Sequence, residues 1–351
     1  MIVFIASFPA LSDEKDGMVQ RIASIDALVS DLPRVYLDIS FRRFWSKRVH
    51  HFGKATVFQL NGLLHICLIL SWLQNARVVY IHSVYNSMRV LPAYWLAKPI
   101  TDLHGAVPEE LAHQGKPWLA HLFGLVERIV LRRRAPAVHV TAAMKRHFQQ
   151  KYQRQSTADR TIAILPRLSD VRGQRENVMG STRDAKAMIY AGGLQAWQNV
   201  SMMLEAAAAA TQLRYVFLSG EAPALQQLAD SAHVVNYTCS AVPPHKVPDH
   251  YLTCTYGFVL RDPLLLNQVA CPTKLVEYLY WGVIPIVLTP EIGDFAELGF
   301  AFVSLDDFRA GRLPDDNAAT RMRAINRQVV ENLIQSCEAE LSTLRQVLRH
   351  G

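Results

Sequence analysis

Residues 261–287 read RDPLLLNQVACPTKLVEYLYWGVIPIV, and this stretch decides the fold of the chain. Pro272 stands at or near the first position of a helix predicted over residues 272–281, and Gly282 ends that helix. Residues 283–288 predict the strand that follows. A helix that leads directly into such a strand is typical of α/β domains, in which helices cover a parallel sheet.

The start of this helix is suited to an anionic group such as a diphosphate, because its unpaired N–H groups and its dipole are positive there. Lys274 adds a cation in the first turn, where a helix alone favours an acid. Glu277 lies one turn further, on the same face as Lys274 or Thr273, and a carboxylate there can accept hydrogen bonds from ribose hydroxyls. An exposed Lys–Glu pair is the alternative, but the large apolar neighbours favour a buried helix.

Strand-like and helix-like runs alternate on both sides of this stretch. The other predicted strands cover residues 2–8, 34–39, 55–59, 78–82, 99–104, 137–141, 186–190, 214–218 and 234–237. The other predicted helices cover residues 18–30, 62–74, 118–133, 199–211, 222–231 and one or two segments within 317–350.

This rhythm predicts two doubly wound, Rossmann-like α/β domains with a cleft between them, and ligands at the carboxyl ends of the strands. We expect an N-terminal domain over residues 1–165 and a C-terminal domain over residues 183–316. The polar, glycine-containing segment 161–182 is the expected linker. Residues 317–351 are expected to form helices that pack back toward the N-terminal domain.

The helix-and-strand stretch resembles the donor-site segment of retaining GT-B glycosyltransferases of the group 1, family 4-like type. That family's pattern is a Glu, seven residues, a second Glu and then Gly-x-Pro-Val; Glu277 matches the second acid and Val269 stands in place of the first. The branch that writes Asn-x-x-x-x-Pro-Thr-Lys-x-x-Glu-Tyr fits better, at Asn267, Pro272, Thr273, Lys274, Glu277 and Tyr278. With the first acid missing, Asn267 or nearby backbone amides are candidates for holding the donor sugar.

A second segment, YAGGLQAWQN at residues 190–199, ends a predicted strand and opens a helix. Gly192 and Gly193 let the backbone approach a ligand closely, although a tight strand-to-helix turn needs glycine as well. In the resembled family an Arg and a Lys of this loop bind the diphosphate, and Gly193 and Gln198 stand at their places here. The positive charge is therefore expected to come from Lys274 and Arg261.

The N-terminal half contributes a third segment, in which Asp102 and His104 close a predicted strand. The resemblance implies that His104 faces the donor sugar, while a purely structural histidine is the alternative. The predicted catalytic residues are thus His104, Asp102 and Lys274. The predicted donor-binding residues are Gly17, Gly192, Gly193, Trp197, Gln198, Arg261, Asn267, Pro272, Thr273, Lys274 and Glu277.

Several classes of protein are disfavoured by what the sequence lacks. It has no Asp-x-Asp, the signature of metal-dependent transferases, and no Gly-x-Gly-x-x-Gly after the first strand, as a dehydrogenase would have. Its five cysteines show no metal-ligand or redox spacing. We therefore expect no metal and no cofactor, with the nucleotide sugar as substrate. No signal peptide is expected at the start, and the apolar run at residues 63–73 is expected to be a buried helix.

Charge is distributed unevenly. Residues 1–176 carry 24 Lys and Arg against 13 Asp and Glu, whereas the remainder carries 13 against 17. Basic runs lie at residues 42–48, 132–134 and 145–147, and the first includes Phe44 and Trp45, as an interfacial membrane anchor would. A solvated surface is the alternative for each run.

The resemblance and the charge together predict a cytoplasmic enzyme, peripheral on the inner face of the membrane. It would move a sugar, with retention, from a UDP- or GDP-sugar to a glycan, lipid-linked as in bacterial surface-polysaccharide assembly. Nucleic acid is not expected as a partner. The rivals are a GT-B-fold sugar-nucleotide epimerase or hydrolase, and a non-catalytic protein that binds nucleic acid or anionic glycan.

Overall fold

The computed structural model describes residues 1–9, 17–97, 99–133, 135–165 and 183–351. The chain forms two compact units, Met1–Ile164 with Gln335–Gly351, and Leu165–Ile334. Each unit is built on a largely parallel sheet, which confirms the predicted α/β class. Most of the expected linker and of the first loop (residues 7–17) lies outside the described residues, as does Arg134 of the second basic run.

Unit 1 contains an eight-stranded sheet in the order β3-β4-β2-β1-β5-β6-β7-β8. All neighbours pair in parallel except β3, which runs antiparallel to β4 at one edge. The strands are β1 (Ile2–Ile5), β2 (Arg34–Ser40), β3 (Arg48–Phe52), β4 (Ala55–Asn61), β5 (Val78–His82), β6 (Ile100–Leu103), β7 (Ala137–His139) and β8 (Arg160–Thr161).

Seven helices connect these strands within the described part of unit 1. They are α1 (Gly17–Ala27), α2 (Ile66–Asn75), α3 (Ser83–Arg89), α4 (Ala93–Leu96), α5 (Val107–His113), α6 (Pro117–Arg132) and α7 (Ala142–Tyr152). The central strand β1 has all four residues buried, because helices cover both faces of a doubly wound sheet.

Unit 2 contains a six-stranded parallel sheet in the order β11-β10-β9-β12-β13-β14. The strands are β9 (Asp184–Ala191), β10 (Arg214–Leu218), β11 (Tyr237–Ser240), β12 (Cys254–Val259), β13 (Ile284–Val287) and β14 (Val303–Ser304). The helices are α8 (Val200–Ala209), α9 (Ala222–Ser231), α10 (Val247–Tyr251), α11 (Leu265–Gln268), α12 (Thr273–Trp281), α13 (Leu305–Arg309) and α14 (Asp316–His350).

The single long helix α14 ends in unit 1, since its residues from Gln335 onward belong there. Leu344 and Leu348 lie in the same apolar cluster as the β1 side chains. The backbone N–H of Ala163 donates to the sulfur of Cys337 at 3.3 Å. The C-terminal segment is therefore part of the core of unit 1.

Strand order reverses next to the first strand of each sheet. In unit 2 the chain adds β10 and β11 on one side of β9, then crosses to add β12 on the other side. Such a reversal leaves a crevice at the carboxyl ends of the two strands, where ligands of doubly wound sheets bind. Residues 192–199, which follow β9, and residues 260–264, which follow β12, border this crevice in unit 2.

Several sequence-based expectations differ from the structure, and three of the differences concern the elements named here. The strand expected at residues 234–237 is found at Tyr237–Ser240, and β12 had not been expected at all. The apolar run at residues 63–73 is not a buried helix: of α2 only Ile69 and Leu73 are buried. A ten-residue helix turns one stripe of side chains to a sheet, so apolar residues off that stripe stay exposed.

Candidate functional site

Helix α12 begins at the crevice of unit 2 in a way that favours an anion. Pro272 occupies the N-cap position and Thr273 the first helical position, and neither an acidic residue nor a side-chain cap satisfies the first turn. The helix ends at Gly282, whose φ of 72° is accessible to glycine without strain. Orphan N–H groups and a positive dipole therefore stand at the start of α12.

Lys274 lies in this first turn and is only 8% exposed. Its Nζ donates to Oε1 of Gln198 at 3.0 Å and lies 4.1 Å from the ring centroid of Tyr190. It forms no ion pair with a carboxylate in the described ranges. Burial lowers the pKa of Lys274 well below its usual range, and the nearby charge of Arg261 lowers it further, while Glu277 acts in the opposite direction.

Arg261 is a second buried cation, 9% exposed, in the loop after β12. Its Nη1 donates to Oδ1 of Asn267 at 3.4 Å, and its Nε is buried without a partner among the described residues. Burial lowers the pKa of Arg261 to about 10. Asn267 is itself bonded to the carbonyl of Asp262 at 2.9 Å, so both ends of its amide serve to hold the Arg261 loop.

Two buried cations without a paired carboxylate are costly in a folded protein, because desolvation of a charge is offset only by a counter-ion or by hydrogen bonds. The first turn of a helix adds positive potential at the same place. An anionic ligand would supply the missing counter-charge. The geometry of Lys274, Arg261 and α12 therefore suits an anionic ligand.

Glu277 brings a carboxylate to this group. The hydroxyl of Tyr251, at the end of α10, donates to its Oε2 at 2.8 Å. Burial raises the pKa of Glu277 to about 7, and the Tyr251 hydrogen bond and the charge of Lys274 limit the rise. Oε1 remains to accept hydrogen bonds from a ligand's hydroxyl groups.

The loop after β9 approaches the Lys274 ammonium closely. A Cβ on Gly192 would lie 3.1 Å from the Tyr190 hydroxyl and 3.4 Å from Nζ of Lys274, so a side chain there would crowd the cation. The Gly193 carbonyl accepts a hydrogen bond from the Tyr190 hydroxyl. Trp197 lies half-buried in the 3₁₀ turn Ala196–Gln198 that carries Gln198.

A second group lies at the carboxyl edge of the unit 1 sheet, around Asp102. Arg21 binds both of its carboxylate oxygens, at 2.9 and 3.2 Å, and the Tyr80 hydroxyl donates to Oδ2 at 2.9 Å. Nδ1 of His82 and Nε2 of His104 each lie 3.5 Å from the same Oδ2. Burial alone would raise the pKa of Asp102, but Arg21 and His104 hold it well below its usual range.

His104 is the ring of this group that reaches the surface. His82 is fully buried, and burial lowers its pKa to about 4, so it is neutral near pH 7. His104 keeps part of its ring exposed, and its Nδ1 has no partner in the described part of the chain. Asp102 thus lies against one nitrogen of His104, and the other nitrogen is a buried polar atom whose hydrogen-bonding capacity is unused among the described residues.

His82, Asp102 and His104 also offer three atoms within 4.8 Å of one another, a spacing that can hold a metal ion. The Arg21 guanidinium already neutralises the Asp102 carboxylate through two hydrogen bonds. A fixed positive charge at that distance repels a metal cation, so these residues fit an ion-pair network better than a metal site.

The predicted residues fall into two sets. In unit 2 the structure brings together, at the carboxyl edge of the sheet, Gly192, Gly193, Trp197, Gln198, Arg261, Asn267, Pro272, Thr273, Lys274 and Glu277. In unit 1 it brings together Asp102 and His104. Gly17, the first residue of α1, is half-buried and borders the undescribed residues 10–16.

The sequence matches no protein-family model and no curated protein. Solved structures with 10–12% sequence identity do superpose over the whole chain. The chain has the GT-B fold. The similar structures include sucrose-phosphate synthase from Thermosynechococcus elongatus (TM-score 0.65, 12% identity, 99% of this chain and 98% of that one).

They also include HepE from Anabaena in complex with UDP-glucose (TM-score 0.67, 12% identity, 98% of each chain). A third is an α,α-trehalose-phosphate synthase from Burkholderia xenovorans in complex with glucose-6-phosphate (TM-score 0.61, 10% identity, 98% of each chain). At this level of identity the similarity establishes the fold alone, and the activity has to be inferred from the residues of the site.

Within this GT-B fold, sequence reasoning missed the partners of the site residues. Arg21 and Tyr80 support Asp102 from 81 and 22 positions away, and Tyr251 supports Glu277 from 26 positions away. A lone Arg in an amphipathic helix, or a Tyr at a strand end, carries no spacing signal.

No helix in the described ranges combines the length and the apolar run that a bilayer crossing requires.

Proposed function

We propose that the protein is a glycosyltransferase that moves a sugar from a UDP- or GDP-sugar to a glycan acceptor. The observation that carries this proposal lies in unit 2, where Lys274 and Arg261 are buried and neither forms an ion pair with a carboxylate of the described residues. Glu277, whose Oε2 is bonded by Tyr251, lies one helical turn from Lys274. A diphosphate would neutralise the cations, and the ribose hydroxyls would donate to Glu277. The GT-B similarity, including a relative solved with UDP-glucose, supports this class of ligand.

Charge stabilisation of the leaving group is the chemical step for which unit 2 is equipped. When the bond between the anomeric carbon and the diphosphate breaks, negative charge develops on the phosphate oxygen. Lys274, Arg261 and the α12 N–H groups are positioned to stabilise that charge without a metal ion. We propose that transfer is metal-independent, needs no cofactor and retains the anomeric configuration, the last following from the resemblance of the α12 segment.

His104 and Asp102 are the catalytic candidates of unit 1. The buried, unpartnered Nδ1 of His104 would bond a hydroxyl of the donor sugar or of the acceptor that reaches it, and the ionised Asp102 lies against the other nitrogen of the ring. The basic N-terminal half supports a phosphorylated, lipid-linked glycan as acceptor, as in polysaccharide assembly. We propose a cytoplasmic protein that is peripheral on the membrane.

The test is nucleotide release across a panel of UDP-, GDP-, dTDP- and ADP-sugars, with and without glycan acceptors. We expect release from a UDP- or GDP-sugar that depends on an acceptor. Release without any acceptor would make the protein a hydrolase, and interconversion of the sugar without release would make it an epimerase. Absence of binding to every sugar nucleotide would contradict the anion site itself.

A further inference from the structure

Two loops of unit 1 lie side by side at the carboxyl edge of its sheet. Strands β2 and β4 pair in parallel, with Ser40 opposite Asn61 at their ends. Residues 41–47 follow β2, and residues 62–66 follow β4 into the start of α2. Because parallel neighbours end at the same edge, the two loops, here called the docking loops, form one surface.

A single buried amide fixes the docking loops to each other. Nδ2 of Asn61 donates to the carbonyl oxygens of Phe41, at 3.4 Å, and Arg43, at 3.1 Å. Its Oδ1 accepts from the backbone N–H groups of Leu63, at 3.0 Å, and Leu64, at 3.2 Å. Asn61 is buried, so its amide is shielded from water and ties the two loops to each other.

This surface exposes large apolar side chains. Trp45 is 74% exposed, Leu63 69% and Leu64 59%, and Phe41 and Ile66 are exposed as well. Gly62 packs directly on the Phe41 ring, since a Cβ there would lie 2.6 Å from it. Single exposed apolar residues are ordinary on a protein surface, but a cluster on adjoining loops that are tied to each other marks an interaction site.

Exposed cations lie in the same segment as the apolar side chains. Arg42, Arg43, Lys47 and Arg48 are all exposed, and none is in an ion pair with a described residue. The sequence from residue 39 to residue 101 contains no Asp or Glu. The surface is therefore apolar and positively charged at once, and it has no carboxylates of its own to neutralise that charge.

We infer that the docking loops bind an anionic lipid surface. Such a surface supplies negative charges that can pair with the four cations. It also supplies an apolar layer into which Trp45, Leu63 and Leu64 can insert. A second copy of the same surface would oppose cations to cations, and a nucleic acid would leave the leucines in water. The inference extends the acceptor part of the proposed function, but it concerns unit 1 alone.

Vesicle co-sedimentation of the full chain tests the inference. We expect binding to vesicles of phosphatidylcholine with 30% phosphatidylglycerol, weak binding to phosphatidylcholine alone, and release as salt is raised from 50 to 500 mM. Each cation near an anionic leaflet contributes about 5-fold in partitioning, so Arg42→Gln with Arg43→Gln should weaken binding by about 25-fold. The matched control, Lys186→Gln with Lys246→Gln, removes the same charge from exposed positions of unit 2 and should change binding less than 3-fold.

The apolar part is tested separately. Leu63→Ser with Leu64→Ser should weaken vesicle binding by about 10-fold or more and leave the salt dependence in place, because two large side chains leave the lipid. Leu228→Ser, at an exposed position on α9, is the control and should have no effect. Brominated lipids should quench Trp fluorescence in the native chain and lose most of that effect in Trp45→Phe.

Four results would overturn the inference: equal binding to neutral and anionic vesicles, no binding to either, loss of binding only in the unit 2 control, or a stable dimer that Leu64→Ser dissociates while vesicles stay unbound. UDP titration of the same preparations separates this outcome from the proposed function. Intact UDP binding without vesicle binding would refute the docking loops alone. Vesicle binding without any nucleotide binding would refute the transferase and leave the docking loops standing.

Discussion

Replacement of Lys274 by Met should make the fold more stable while it destroys nucleotide binding. The change keeps the length of the side chain and removes a buried charge that has no carboxylate partner in the described structure. Replacing a buried ion pair by apolar groups of similar volume is often neutral or stabilising by about 1–4 kcal/mol, and the same desolvation cost applies to an unpaired ion. The loss of the hydrogen bond to Gln198 and of the contact with the Tyr190 ring each offsets about 1 kcal/mol. The middle of that range less the two offsets leaves a net gain of about 0.5 kcal/mol in the free energy of unfolding.

The pH dependence of that gain gives an independent check. The pKa of Lys274 is lower in the folded protein than in the unfolded chain, so the unfolded state binds more protons between the two values. The stability of the native protein therefore rises with pH toward 10.5, and the advantage of Lys274→Met should shrink over the same range. Urea denaturation without nucleotide, at pH 7, 8.5 and 10, measures this difference.

The binding side of the prediction is opposite in sign. A charge-assisted hydrogen bond to phosphate is worth about 2–3 kcal/mol, so Lys274→Met should weaken UDP binding by about 30- to 150-fold in calorimetry. Lys246→Met, at an exposed position of the same unit, should change neither quantity. Unchanged UDP affinity, or a loss of more than about 1 kcal/mol of stability without nucleotide, would refute the reasoning about a buried, unpaired cation.

The remaining predictions concern the other site residues. UDP affinity should fall as pH drops below about 7, because Glu277 must be ionised to accept hydrogen bonds from the ribose hydroxyls. The variant Glu277→Gln should bind UDP about 10-fold more weakly, and its affinity should no longer depend on pH in a series of titrations. Tyr251→Phe removes the donor that lowers the pKa of Glu277, so the acid limb should move to higher pH, whereas Tyr256→Phe should leave it in place. His104→Gln should lower kcat by about 100-fold at unchanged UDP affinity, and a matching loss of affinity would contradict its catalytic role. Chelation with EDTA should leave turnover unchanged, and rescue by a divalent ion would show that a metal carries the phosphate charge.

The elements that sequence reasoning found are those whose signals are local. Helix α12 is predicted by Pro272 at its start, by Gly282 at its end and by the β-branched run that follows. These three signals require no knowledge of the rest of the chain. The same locality allowed the sequence to predict that Lys274 and Glu277 lie near each other, because both residues lie within one turn of a single helix.

The elements that were missed depend on contacts distant in sequence. Strand β3 exposes all five of its residues, so it has no apolar alternation and exists through its pairing with β4. Strand β12 contains Gly257, which weakens its strand signal. The structure explains that glycine: a Cβ there would lie 2.4 Å from the ring of Tyr278 on α12. Gly257 therefore weakens the sequence signal of β12 and at the same time allows α12 to approach the sheet.

The departure from the resembled family at the loop after β9 has a physical explanation in these contacts. The loop carries the neutral Gln198 where a cation is usual, and Gln198 accepts a hydrogen bond from Lys274. The ammonium group thus reaches the loop from α12, above a glycine that leaves room for it. A cation at position 198 in addition would place a second positive charge close to the buried Lys274 ammonium, which is unfavourable unless an anion is bound. The neutral loop and the cation on α12 are therefore compatible with each other: Lys274 reaches the loop at the position where the resembled family has a cation of the loop itself.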